Sequence, residues 1–171
     1  MLAKHSEDPD FFDKILWSDE SRFERFGLFN SHNSHYYSIV NPNLLRESNF
    51  QERFSVNLWC GIINKEFVGP FELPPRLNAN EYLRFLQNTL PDLLQRHVTA
   101  RDLQEFMWLM HDGAPCHSTL RVRAHLNATY PERWIGRGGT IAWPPRSPDL
   151  NPIDFFLWCF FKEIVYAREC T

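Results

Sequence analysis

Glu105-Phe-Met-Trp-Leu-Met-His-Asp112-Gly113 is an unbroken apolar run that ends on an acid and a glycine. A strand covered on both faces reads this way, because neither side can carry polar groups without a partner. Such a strand belongs inside a sheet that has helices packed against it. The acid at its end then falls where α/β folds place their sites.

Upstream, Ile15-Leu-Trp-Ser18 is a second apolar run and predicts a strand ending at Ser18-Asp19. Residues 54–63 alternate, Asn64-Lys65 supplies a turn, and residues 67–73 form the partner, so a hairpin is expected. Between them, residues 30–49 are rich in Asn, Ser and His and read as loop, with one short strand at residues 36–40. Asn78 or Asn80 can cap a helix that places Tyr82, Phe85, Leu86 and Leu90 on one face. Pro91 either kinks this helix or begins a second segment. Downstream, residues 118–128 read as a helix with Leu120, Val122, Ala124 and Leu126 partly periodic. Residues 140–145 read as the last short strand, a proline-stiffened loop follows, and residues 153–167 form a final helix that is apolar on most sides. The order predicts an α/β domain over residues 14–171, preceded by a polar segment at residues 1–13.

The composition supports one packed domain. Hydrophobic residues make up 43% of the 171 residues and aromatics 15%, enough apolar surface for a core and too much for a disordered chain. No apolar run is long enough to span a bilayer, and the first residues lack the apolar stretch of a secretory signal. A soluble intracellular protein with no membrane partner is expected. Cys60, Cys116, Cys159 and Cys170 show no CxxC pairing, so reduced thiols are expected over a disulfide frame. The net charge is −3, with an acidic excess near the N-terminus, so charge by itself does not point to a nucleic acid.

Three acids stand out by position. Asp19 and Asp112 each follow a strand run, and Asp154 follows Asn151-Pro152 at the start of an apolar helix. Carboxylates from separate strands can converge on hard cations. Two such ions about 4 Å apart would clamp the attacking and leaving oxygens of a phosphoryl displacement. Taken singly, Asp19 also reads as a turn acid and Asp154 as a helix N-terminal acid. His111, Cys116 and His117 together match no usual zinc spacing. Cys116 has no partner pattern for a nucleophile. His32 and His35 read as exposed loop side chains, and Glu20 as a supporting polar residue beside Asp19.

Four local strings resemble the Tc1/mariner DNA transposases, in that family's order. They are Trp17-Ser-Asp-Glu-Ser-Arg-Phe23, Val56-Asn-Leu-Trp-Cys-Gly61, His111-Asp-Gly-Ala-Pro-Cys-His117 and Trp143-Pro-Pro-Arg-Ser-Pro-Asp-Leu-Asn-Pro-Ile-Asp154. The resemblance runs from about residue 14 to about 167. It implies an RNase H-like fold, with a mixed five-stranded sheet flanked by helices. It implies that Asp19, Asp112 and Asp154 are catalytic and hold two Mg²⁺ or Mn²⁺ ions. It implies strand cleavage and strand transfer, DNA partners (transposon ends and target DNA), a homodimer and a nuclear location. Asp149 matches a structural position of the proline loop and is a rival third ligand; Asp154 is favoured. Trp143 and Arg146 could contact a DNA backbone or stiffen the loop that places Asp154.

Relatives of that family carry N-terminal helix-turn-helix modules, and the 13 residues ahead of the first strand hold none. Two other readings compete with the enzyme. One is a non-catalytic, domesticated or decayed nucleic-acid-binding module, and the other is an RNase H-like nuclease for RNA–DNA hybrids.

Overall fold

The computed structural model describes residues 1–24, 54–97, 102, 104–145 and 147–167. The strand expected at residues 36–40, His32, His35, Arg146 and Cys170 lie outside them. Among the described residues five strands form one mixed sheet: β1 (Ile15–Glu24), β2 (Ser55–Ile63), β3 (Glu66–Leu73), β4 (Trp108–Met110) and β5 (Trp134–Ile135). Their spatial order is β3-β2-β1-β4-β5. The β1–β2 and β2–β3 pairs are antiparallel, and the β1–β4 and β4–β5 pairs are parallel.

The apolar run before Asp112 does form an inner strand, bonded on both edges. Met107, Leu109, Met110 and His111 are all buried. β1 departs from its sequence reading. It continues past Asp19 to Glu24, because β2 pairs with it from Trp17↔Ile62 to Glu24↔Ser55. The polar stretch Asp19-Glu-Ser-Arg22 looks like a strand end, yet the backbone ladder holds it extended whatever its side chains. The β2–β3 hairpin turns at Asn64 and Lys65, whose φ angles of 43° and 66° are both left-handed. Two left-handed central residues match the twist of a two-residue hairpin turn. Pro70 is tolerated in β3 because that strand lies at the sheet edge.

Five α-helices among the described residues accompany the sheet or precede it. α1 (Leu2–Glu7) is a short exposed helix within the polar N-terminal segment. Asn78 caps α2 (Ala79–Arg84): its Oδ1 accepts the N–H groups of Asn80 at 2.9 Å and Glu81 at 3.1 Å. A π turn (Phe85–Thr89) links α2 to α3 (Leu90–Arg96), with Leu90 N–H bonded to the Phe85 carbonyl. Pro91 therefore neither ends nor sharply breaks the helix; the wider turn ahead of it accommodates the missing N–H. Tyr82, Phe85, Leu86 and Leu90 face the core as expected, joined by Leu93 and Leu94.

α4 (Leu120–Thr129) buries Val122 and Leu126, whereas Leu120 is 80% exposed and Ala124 faces solvent. The last strand is Trp134–Ile135 and not residues 140–145, where Ile141 makes only an isolated bridge to Ile135. A second π turn (Ile153–Leu157) opens the final helix, α5 (Trp158–Tyr166).

The two sheet faces are packed unequally. On one face, α2, α3 and α4 close a large core that includes Leu16, Trp59, Tyr82, Leu90, Leu94 and Leu109. Each fully buried side chain of this kind contributes about 1.5–3 kcal/mol. On the other face, the final helix covers Cys60 with Ile153, Leu157 and Trp158. Phe155, Phe156, Phe160, Ile164 and Val165 of that helix remain exposed. Cys60, Cys116 and Cys159 are free thiols. No helix among the described residues is long and apolar enough to cross a membrane.

Candidate active site

Successive side chains of an extended strand point to opposite faces, so β1 sends Asp19 and Glu20 to different sides of the sheet. Asp19 sits opposite Cys60 in the register and faces the final helix. Trp158 reaches it from that helix and donates its indole N–H to Oδ2 at 2.6 Å. Asp154 lies four residues earlier, in the π turn, and its carboxyl meets that of Asp19. Asn151 ties this helix start to β1. Its amide N–H donates to the Ser18 carbonyl and to Asp154 Oδ2, both at 3.4 Å, while its Oδ1 accepts the Ile153 N–H at 3.2 Å. Asp112 follows β4, and its Oδ1 accepts the Ala114 N–H at 3.0 Å. Asp19, Asp112 and Asp154 line one open cleft of about 780 Å³, together with Glu20, Arg137 and Trp143.

Burial, and then the neighbouring Asp154 and Glu20 carboxylates, push the Asp19 carboxyl up to about 8; the Trp158 N–H pulls the other way. Burial also raises Asp154, with Asp112 adding to the repulsion. Asp112 goes down despite its own burial, because His117 and the Ala114 N–H favour its anion. The cleft therefore carries more carboxylate than it can ionise comfortably, the condition under which a cation is attracted or a proton retained.

Beneath Asp112, on the Glu20 side, lies a buried ring cluster. His117 Nδ1 is 2.7 Å from Asp112 Oδ1, and its Nε2 is 3.3 Å from Glu20 Oε2. Burial disfavours the His117 cation, but Tyr82, Glu20 and Asp112 outweigh that and hold its pKa high. His111 behaves oppositely: burial, and then its neighbour His117, push it down to about 3. Its Nδ1 lies 3.0 Å from the Tyr82 hydroxyl.

No protein-family model matches the chain. In sequence it is 27% identical over 161 residues to the Tc3 transposable-element transposase of Caenorhabditis elegans, covering 92% of this chain and 44% of that protein. In structure it is similar to the Mos1 transposase catalytic domain solved with raltegravir and Mn, with a TM-score of 0.68 and 18% identity over 99% of this chain and 68% of that one. It is also similar to the Mos1 paired-end complex with the left transposon end, with a TM-score of 0.65 and 22% identity over 96% of this chain and 45% of that one. The chain is related to the Tc1/mariner transposases.

The fold of this Tc1/mariner relative is RNase H-like, as its motifs imply. The chain spans less than half the length of the Tc3 protein. Its three expected acids meet at one cleft. Asp149 is exposed in a 3₁₀ turn (Pro148–Leu150) and does not line that cleft. His111, Cys116 and His117 do not gather as a ligand set; Glu20, Asp112 and His117 do, with ligand atoms within 4.8 Å of one another. Trp143 is buried to 8% exposure at the cleft wall, which fits a stiffening role. Sequence reasoning missed Asn151, Trp158, Arg137 and the link from His117 to Glu20. The spacing of Asn151, Asp154 and Trp158 was a usable signal, since positions three and four apart share a helix side.

Proposed function

We propose that this chain is the catalytic domain of a DNA transposase, in which Asp19, Asp112 and Asp154 hold divalent ions for DNA strand cleavage and strand transfer. One observation carries the reading: carboxylates from three separate stretches of chain line a single open cleft. The donor set suits Mg²⁺ or Mn²⁺, which prefer oxygen ligands. The crowding that lifts Asp19 is what such ions relieve. A pair of bound ions supplies Lewis-acid activation of the attacking oxygen and stabilisation of the leaving one.

The chain's own residues do the positioning. Trp158 and Asn151 fix the carboxyls of Asp19 and Asp154 by hydrogen bonds. Arg137 is a cation on the cleft wall and suits a backbone phosphate of the bound strand. Mos1 is solved as a paired-end complex with a transposon end and as a strand transfer complex. By analogy, transposon ends and target DNA are the substrates here, and a homodimer the assembly.

Mn²⁺ titration by calorimetry, paired with nicking of duplex DNA, tests the proposal. Binding and nicking by the wild type, both lost in Asp19→Asn, support it. A wild type that binds no Mn²⁺ and cuts nothing favours a non-catalytic module, and preference for an RNA–DNA hybrid would redirect the substrate class.

A further inference from the structure

We infer that His117 is a positioning residue that sets which oxygen Asp112 offers to the cleft, and that Glu20 holds His117 in place to do so. The inference rests on the metal-binding role proposed for Asp112 and adds the device that orients it.

The two oxygens of Asp112 have different surroundings. Oδ1 faces inward, where the Ala114 N–H lies at 3.0 Å and His117 Nδ1 at 2.7 Å. A carboxylate offers only acceptors, so the ring nitrogen at that distance carries the proton. Two protein groups thus occupy Oδ1, and Oδ2 is left for the cleft. The Asp112 side chain is 43% exposed there, whereas that of His117 is only 2% exposed.

The ring of His117 has little freedom to turn away. Tyr82 lies against it with ring centroids 4.0 Å apart, and His111 stacks at 5.0 Å with a 9° interplanar angle. His111 is fixed in turn by Tyr82 on one side and by Gly136 on the other, where an added Cβ would fall 2.4 Å from the His111 ring. Glu20 Oε2 meets the far nitrogen of His117 at 3.3 Å. The chain of contacts therefore runs from Glu20 on β1 through His117 to Asp112 beyond β4, under the cleft floor.

Glu20, Asp112 and His117 are close enough to suggest a metal site of their own. The distances argue for orientation instead. Two ligands of one ion stand roughly 3 Å or more apart when each bond is about 2.0–2.1 Å. Asp112 Oδ1 and His117 Nδ1 are already in ion-pair contact at 2.7 Å. Groups that orient a ligand in this way govern metal affinity without touching the metal.

The experiment separates donor position from bulk. An Asn amide nitrogen lies as many bonds from the backbone as His Nδ1, and a Gln amide nitrogen as many as Nε2. Mn²⁺ affinity is measured by calorimetry on the wild type, His117→Asn, His117→Gln and His117→Ala, with the melting temperature of each taken without metal. Affinity for Mn²⁺ should stay within about threefold of wild type in His117→Asn, and fall about 10–100-fold in His117→Gln and His117→Ala. Equal affinities in all folded forms, or equal losses in Asn and Gln variants, overturn the inference. Electron spin-echo spectra of Mn²⁺ on the wild type need no variant: ¹⁴N coupling would make a histidine a direct ligand and overturn it as well, and its absence supports it. A wild type that binds no Mn²⁺ removes the parent proposal and this one with it, whereas binding unchanged by the variants removes this one alone.

Discussion

The two faces of the sheet are built to different standards. One is sealed by three helices over a continuous apolar core, from Leu16 through Tyr82 to Leu126. The other carries two smaller clusters, one around Phe11, Ile15, Met110 and Ile135 and one where the final helix buries Ile153, Leu157 and Trp158 and leaves a row of phenylalanines in solvent. β1 runs between them and gives one acid to each: Glu20 to the sealed face and Asp19 to the thin one. The contrast teaches where rigidity and charge are kept apart. The sealed face anchors Asp112 through buried rings, while the thin face carries the carboxyl pair whose charges oppose each other.

The largest expected effect lies where the faces meet. Asp112→Ala should lower metal-dependent nicking on the order of 10³-fold, since it removes a group from the proposed ion clamp. Its metal-free melting temperature should fall only moderately, by the loss of the acceptor shared by the Ala114 N–H and the buried His117 ring, about 1–3 kcal/mol. Residual nicking within tenfold of wild type would break the site assignment.

Next comes the sealed face. Leu94, 1% exposed, should cost about 2–5 kcal/mol when replaced by Ala, read as a shift in denaturant midpoint. A smaller loss would mean that the two faces are less unequal than their packing indicates.

A smaller effect is expected from the link between Trp158 and Asp19. Trp158→Phe removes the N–H donated at 2.6 Å and should cost about 1–3 kcal/mol. It should also raise the Asp19 carboxyl further, since that N–H favours its anion.

The pH dependence follows from the same carboxyl. Asp19 ionises near its ordinary value of 3.8 when unfolded and near about 8 when folded. Between those values the folded chain binds the extra proton, so the contribution of Asp19 to metal-free stability is full below about pH 4 and is lost as pH rises towards 8. Melting curves in a chelating buffer should show this decline, and Asp19→Asn should flatten it. A decline of equal slope in the variant would place its cause elsewhere.

The smallest effect belongs to the outer side of the thin face. Phe156, 62% exposed, should change stability by no more than about 0.5 kcal/mol on replacement by Ser. A loss comparable to that of Leu94→Ala would mean the helix is covered in solution.

Much of this organisation is legible in the amino-acid sequence, for identifiable reasons. The hairpin at Asn64-Lys65 obeys local rules and stands as read, whereas the inner strand before Asp112 is present but shorter than its apolar run, Trp108–Met110, with Phe106 60% exposed ahead of it. The helix capped by Asn78 stands too, because capping and an apolar face are short-range properties. Failures came where tertiary pairing decides. Asp19-Glu-Ser-Arg22 is polar, and only the β2 ladder shows that the strand continues through it. Trp134-Ile135 is too short to carry a period, and the glycines that follow hide it further. Among candidate site residues, the acids were found because they end apolar runs. Glu20 was read only as a supporting polar residue, and its tie to His117 crosses nearly a hundred positions of sequence.

The hydrogen bonds of Asn151 carry a consequence for how this architecture can vary. Forty-one residues separate Asp112 from Asp154 (154 − 112 − 1). The third acid is not placed by the length of that connection; it is docked at its end, where Asn151 grips the Ser18 carbonyl. The length of that connection can then vary without deciding where the third acid sits, much as a rope may be of any length once its far end is cleated.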